Sequence, residues 1–117
     1  MKNQYLQGVL AASLLMACSG AFAATEKLRG KIGATLSDNW NYGKCMIKST
    51  SFKPSINCPD DWFSLSCSGD YSSKEDARRM WDSAQMALAL DLDVQVSVDD
   101  EKKHNKYCVI VRLDVIK

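Results

Sequence analysis

One segment of this chain carries a helical period, and every other patterned segment alternates apolar with polar residues. Ala77, Met80, Trp81, Ala84, Ala87 and Leu88 recur at the spacing of one helix face, with Lys74, Arg78, Arg79, Asp82 and Gln85 opposite. Ser72 and Glu75 read as a capping box at its start, each side chain satisfying a free backbone amide. Met80, Trp81 and Met86 along the stripe are the packing residues of an amphipathic helix rather than a cofactor box. A single helix among alternating runs restricts the chain to a mainly β fold.

The runs fall in a definite order. Leu28 to Leu36 alternates as a half-buried strand and is followed by "SDNWNYG", a turn-rich loop with two aromatic residues. Lys44 to Lys48 is a second strand, and Ser51 to Ser55 is a turn around Pro54. The third strand begins at Ile56-Asn57-Cys58 and is completed by Trp62 to Cys67. After the helix, Val94, Val96 and Val98 mark a fourth strand, and Tyr107, Val109, Val111, Leu113 and Val115 a long fifth. The charged stretch "DDEKKHN", residues 99 to 105, connects these two as antiparallel neighbours. Three strands, a helix and two strands is the order of an OB-fold, a five-stranded Greek-key barrel.

Residues 1 to 23 have the parts of a secretion signal: Lys2, the apolar run Val9 to Ala17, and Ala21-Phe22-Ala23 as an A-x-A cleavage site. The competing reading makes Leu15-Met16-Ala17-Cys18 a lipobox and Cys18 a lipid anchor, but Met16 fits that motif poorly. The expected mature chain therefore begins Ala24-Thr25-Glu26 and forms one 94-residue domain, exported through the inner membrane and secreted. Lys2 is the signal's only charge, so the mature chain carries 14 basic and 14 acidic residues. That balance lacks the electrostatic footprint of a nucleic-acid-binding protein.

Catalytic chemistry finds little support. The chain has one histidine, His104, in a charged stretch where a solvated side chain is the expectation. No C-x-x-C pair, EF-hand loop, glycine-rich phosphate loop or G-x-S-x-G elbow occurs, so neither cofactor nor metal is expected. Cys45, Cys58, Cys67 and Cys108 are an even set in an oxidising compartment and read as structural disulfides. Cys45 and Cys58 flank the Pro54 turn, which suggests a hairpin bridge and leaves Cys67 with Cys108. Four cysteines allow three pairings, and the other two stay open.

With these elements in place the chain resembles the receptor-binding B subunits of bacterial AB toxins, of the pertussis toxin and subtilase cytotoxin type. The residues that carry the resemblance are Cys45 and Cys58, then "KEDARRMWDSAQMALAL", then "VQVSV", then "YCVIVRLDV". It implies an OB-fold that assembles as a five-membered ring, binds a host glycan and carries a separate toxic subunit. The first strand, "LRGKIGATL", lacks the Tyr and Ser with which such subunits often grip sialic acid. The alternative is a periplasmic or lipid-anchored OB-fold accessory protein that binds a protein or small ligand. In either case a ligand is expected between "SDNWNYG" and "DDEKKHN". Trp40 and Tyr42 would supply flat faces for a sugar ring, and Asp38, Asn41, His104 and Asn105 polar contacts.

Overall fold

The computed structural model describes residues 24–39 and 41–117. The expected signal, Cys18 and Trp40 lie outside the described residues. The elements are β1 (Thr25–Lys31), β2 (Ala34–Ser37), β3 (Cys45–Lys48), β4 (Trp62–Ser64), α1 (Lys74–Leu90), β5 (Asp93–His104) and β6 (Tyr107–Ile116). The protein is mainly β with one helix. Its strands form one mixed sheet in the order β1-β5-β6-β4-β3-β2, antiparallel except for the parallel pairing of β4 with β6.

The first and last strands of that order are neighbours in the chain, which forces the sheet to curl. Six flat strands would span about 24 Å, whereas the link from Lys31 to Ala34 reaches at most about 11 Å. Ile32 and Gly33 form that link, with Ile32 buried in the core. The Gly33 amide donates to the Lys48 carbonyl at 2.8 Å, and Ser49 Oγ donates to the Lys31 carbonyl at 2.5 Å. The end of β3 is thereby fastened to the end of β1. The expected first strand, Leu28 to Leu36, is thus two strands on opposite sides of the sheet order.

Five further expectations need correction. The helix is capped by Ser73, whose Oγ accepts the Asp76 amide at 3.0 Å, while Glu75 pairs with Arg79 at 2.7 Å. Ile56 to Cys58 is not strand; residues 49–61 form an irregular loop, held to β1 where Glu26 Oε2 accepts the Ser55 and Ile56 amides. The charged connector is mostly strand. Asp99 faces Val109 and Lys103 faces Cys108, so residues 100–102 bulge outward and the chain turns only at Asn105 and Lys106. Asn105 takes a φ of 59°, which a two-residue hairpin turn favours at its first central position and asparagine tolerates.

The fourth correction concerns β6, where Tyr107 to Val115 does not present one alternating face. Val98 faces Ile110 and Ser97 faces Arg112, leaving Val111 unopposed. A one-residue bulge reverses which side chains point inward. Cys108 and Ile110 therefore belong to the core before it, and Leu113 and Val115 pack against the core after it. Tyr107 and Val109 are turned to the other side of the sheet.

The cystines join Cys45 to Cys67 and Cys58 to Cys108, not Cys45 to Cys58. The strand that returns beside β3 is β4, in the register Met46 opposite Ser64, with the Leu65 amide donating to the Cys45 carbonyl. This return places Cys67 beside Cys45 and leaves Cys58, in the preceding loop, facing the start of β6. Two disulfides belong to an oxidising environment. Val94, Val96, Val98, Ile47, Phe63, Leu65 and Phe52 fill the core, and α1 adds Ala84 and Ala87, whose small side chains let the helix lie close. No helix among the described residues is long and apolar enough to cross a membrane.

Candidate functional site: an aromatic cleft on the outer face

Strand alternation sends Cys45 and Ile47 of β3 into the core and Met46 and Lys48 to the opposite face. In β4 the same rule sends Phe63 into the core and Trp62 and Ser64 to the opposite face, where Ser64 is buried under the Tyr42 loop. Register then sets Leu36 beside Met46, Met46 beside Ser64 and Lys48 beside Trp62. The β6 bulge contributes Tyr107 to this face. Leu36, Tyr42, Met46, Trp62 and Tyr107 line a cleft of about 150 Å³.

Its walls are aromatic and its rim is cationic. Tyr42 and Tyr107 meet edge to face, with centroids 5.6 Å apart at 70°. Lys48 Nζ lies 5.9 Å from the Trp62 ring and Lys106 Nζ 5.5 Å from the Tyr107 ring. Lys106 is also held by Asp60 at 3.0 Å, and that hydrogen bond raises its pKa above the ordinary lysine value.

The loop carrying Tyr42 is fixed by its backbone. The Asp38 amide donates to the Lys44 carbonyl, Ser64 Oγ donates to the Tyr42 carbonyl, and the Ser68 amide donates to the Gly43 carbonyl. Gly43 has a φ of 75°, and a Cβ there would stand 2.5 Å from Ser64 Oγ and 2.6 Å from His104 Cδ2. Only glycine allows the loop to lie this close.

Beneath the loop is a buried polar knot. His104, expected in solvent, is only 9% exposed, and its Nε2 is 2.9 Å from Ser66 Oγ. Ser66 Oγ also accepts the Tyr71 amide at 3.0 Å, and the Tyr71 ring meets the imidazole edge to face. Asp70 Oδ2 is 3.8 Å from the same His104 nitrogen. A serine-histidine-carboxylate relay places the acid on the opposite ring nitrogen, so this arrangement is a different one. Ser66 is moreover fully buried, out of reach of a substrate.

Burial lowers the His104 pKa below 6.5, against the opposing pull of Asp70 and Asp38. The folded protein thus favours neutral imidazole, and stability is full above about pH 6.5. As pH falls from there toward the lowered folded value, the unfolded chain gains a proton that the folded one resists, and stability is lost. Urea midpoints at pH 7.5 and 5.5 should therefore separate more for the native protein than for His104→Gln. Equal separations would show that His104 does not contribute to the pH dependence.

Of the expected ligand residues, Tyr42 lines the cleft, Asn41 and Asn105 are exposed nearby in sequence, and His104 is withdrawn into the knot. Asp38 lines a separate cavity beside α1. Trp62 and Tyr107 are cleft residues that sequence reasoning assigned only to strands. A signal for the first was present: Trp62 and Phe63 are adjacent in a strand and must face opposite sides. Compared with protein-family models, with curated proteins and with solved structures, the chain matches none.

Proposed function

We propose that this chain is an exported, non-catalytic binding module of the toxin B-subunit type, and that its aromatic cleft takes a sugar ring of a host glycan. The observation that carries the reading is the convergence of the half-buried Tyr42, Trp62 and Tyr107 on one cleft. Sugar rings pack their apolar faces on such side chains, while flanking polar groups set orientation. We read the fold as an OB-fold in which β1 and β2 are halves of one bent strand. On that reading β3, β4, the loop 38–44 and the turn at 105–106 make up the face and loops with which OB-folds hold oligosaccharides.

Titration with a panel of neutral oligosaccharides, followed by tryptophan fluorescence, tests the reading. Trp62→Ala should weaken binding by more than about tenfold, the loss of one aromatic anchor. Native affinity in a folded Trp62→Ala variant would remove the cleft from consideration. Binding of peptides but of no sugar would favour the accessory-protein reading instead.

Assembly into a ring belongs to the same proposal. From Ile110 onward β6 is paired with β5, and no described strand lies on its other side. A strand edge without a strand partner can serve as a template for a neighbouring subunit. Light scattering of the exported protein should give about five times the subunit mass. A monomer at micromolar concentration would contradict the ring.

A further inference from the structure

A second cavity, of about 350 Å³, lies between the start of α1 and the disulfide Cys45–Cys67. Lys74, Arg78 and Trp81 stand four and three residues apart on one face of the helix, and all three line it. Lys44 faces them from the end of the loop 38–44, held at a φ of 72° that lysine rarely adopts. Asp38 is the single carboxylate in the wall. Three cations against one carboxylate leave the cavity with an excess of two positive charges.

Among the described residues these cations have no ion-pair partner: none of the three lies within 4.0 Å of a carboxylate, whereas neighbouring Arg79 is paired with Glu75. The Lys74 stem crosses Gly69 so closely that a Cβ there would be 3.0 Å from Lys74 Cγ, which restricts where its ammonium can go. Trp81 and the disulfide form a weakly polar wall, and charge interactions strengthen beside such a surface. Lys74 opens the helix directly after the Ser73 cap, in a first turn that also carries Asp76 and Glu75, the latter paired with Arg79.

We propose that this cavity binds a tetrahedral oxyanion, the sulfate or phosphate ester group of a small molecule. The guanidinium of Arg78 supplies two-point recognition of its oxygens, and Lys44 and Lys74 supply point charges from opposite sides. The site is separate from the aromatic cleft and does not depend on it.

The test follows the Trp81 indole N–H resonance of the exported protein during addition of inorganic sulfate, then inorganic phosphate, with ionic strength held constant by sodium chloride. A saturable shift is expected with both anions. In the double variant Lys74→Ala/Arg78→Ala it should weaken at least about tenfold. Lys53→Ala, which removes an exposed cation elsewhere, and Trp62→Ala should both keep it. Circular dichroism establishes that each variant is folded, and the reversed charge of Arg78→Glu should abolish the shift. A heparin-derived disaccharide and glucose 6-phosphate then distinguish the two sources, the tighter ligand naming the ester. A shift that never saturates, or one that persists unchanged in the double variant, overturns the proposal.

Discussion

Replacing both Cys58 and Cys108 with alanine should cost about 4 kcal/mol. The bridge closes a loop of sequence separation 50, and severing it frees that loop in the unfolded chain. It also anchors the irregular loop 49–61, whose Phe52 is among the largest fully buried side chains, to the start of β6. A domain of this size has only about 5–14 kcal/mol of stability, so the variant should sit near its unfolding threshold. Removing Cys45 and Cys67 should cost less, about 3 kcal/mol, because the separation is 22. Urea unfolding of the two double variants checks both the size and the order. A cost below about 1 kcal/mol for the Cys58/Cys108 variant would contradict the pairing.

Phe63→Ala should be nearly as damaging, at about 3–5 kcal/mol. Phe63 is fully buried in a three-residue strand and meets Phe52 edge to face at 5.6 Å. So short a strand has few backbone bonds to hold it between β3 and β6, and its packing must supply the rest. The cavity left by alanine lies within the sheet's core beside Phe52 of the loop 49–61. Phe63→Leu, which keeps most of the volume, should recover more than half of the loss in the same measurement. Equal destabilisation by both substitutions would show that ring contact, rather than volume, holds β4 in place.

The sequence revealed element types more readily than element edges. The helix was legible because its stripe continues through about three turns, and the Val94-Val96-Val98 run because one buried face keeps a strict period of two. What escaped was set by features with no periodic trace. Val111 looks like any other β-strand valine, yet its bulge decides that Tyr107 leaves the core. Gly33 divides the first strand because Ile32 must turn inward there, which depends on where β3 ends. The cystines were misjudged for a related reason. Pro54 marks a turn, but the chain runs on to Trp62 before it pairs with β3, so Cys67 rather than Cys58 returns to Cys45.

The candidate site divides the same way. Tyr42 could be picked out as an aromatic residue in a turn-rich loop. His104 drew attention as the only histidine, but its partners Ser66 and Tyr71 lie more than thirty residues away in sequence and give no local sign. Trp62 and Tyr107 each sit beside a core residue, Phe63 and Cys108, and alternation alone sends one member of each pair outward. Read that way, adjacent bulky residues in a strand are as informative as the alternating ones.

On the proposed reading, a sugar is held on the outer face of β3 and β4. Chemical-shift mapping of the isotope-labelled exported protein against the tightest oligosaccharide in the panel tests it most directly. The largest changes are expected at the Trp62 indole and at Tyr42 and Tyr107, with Met46 beneath them shifting less and the helix unaffected. Largest changes on α1 or along β1, or no change with any sugar in the panel, would contradict it.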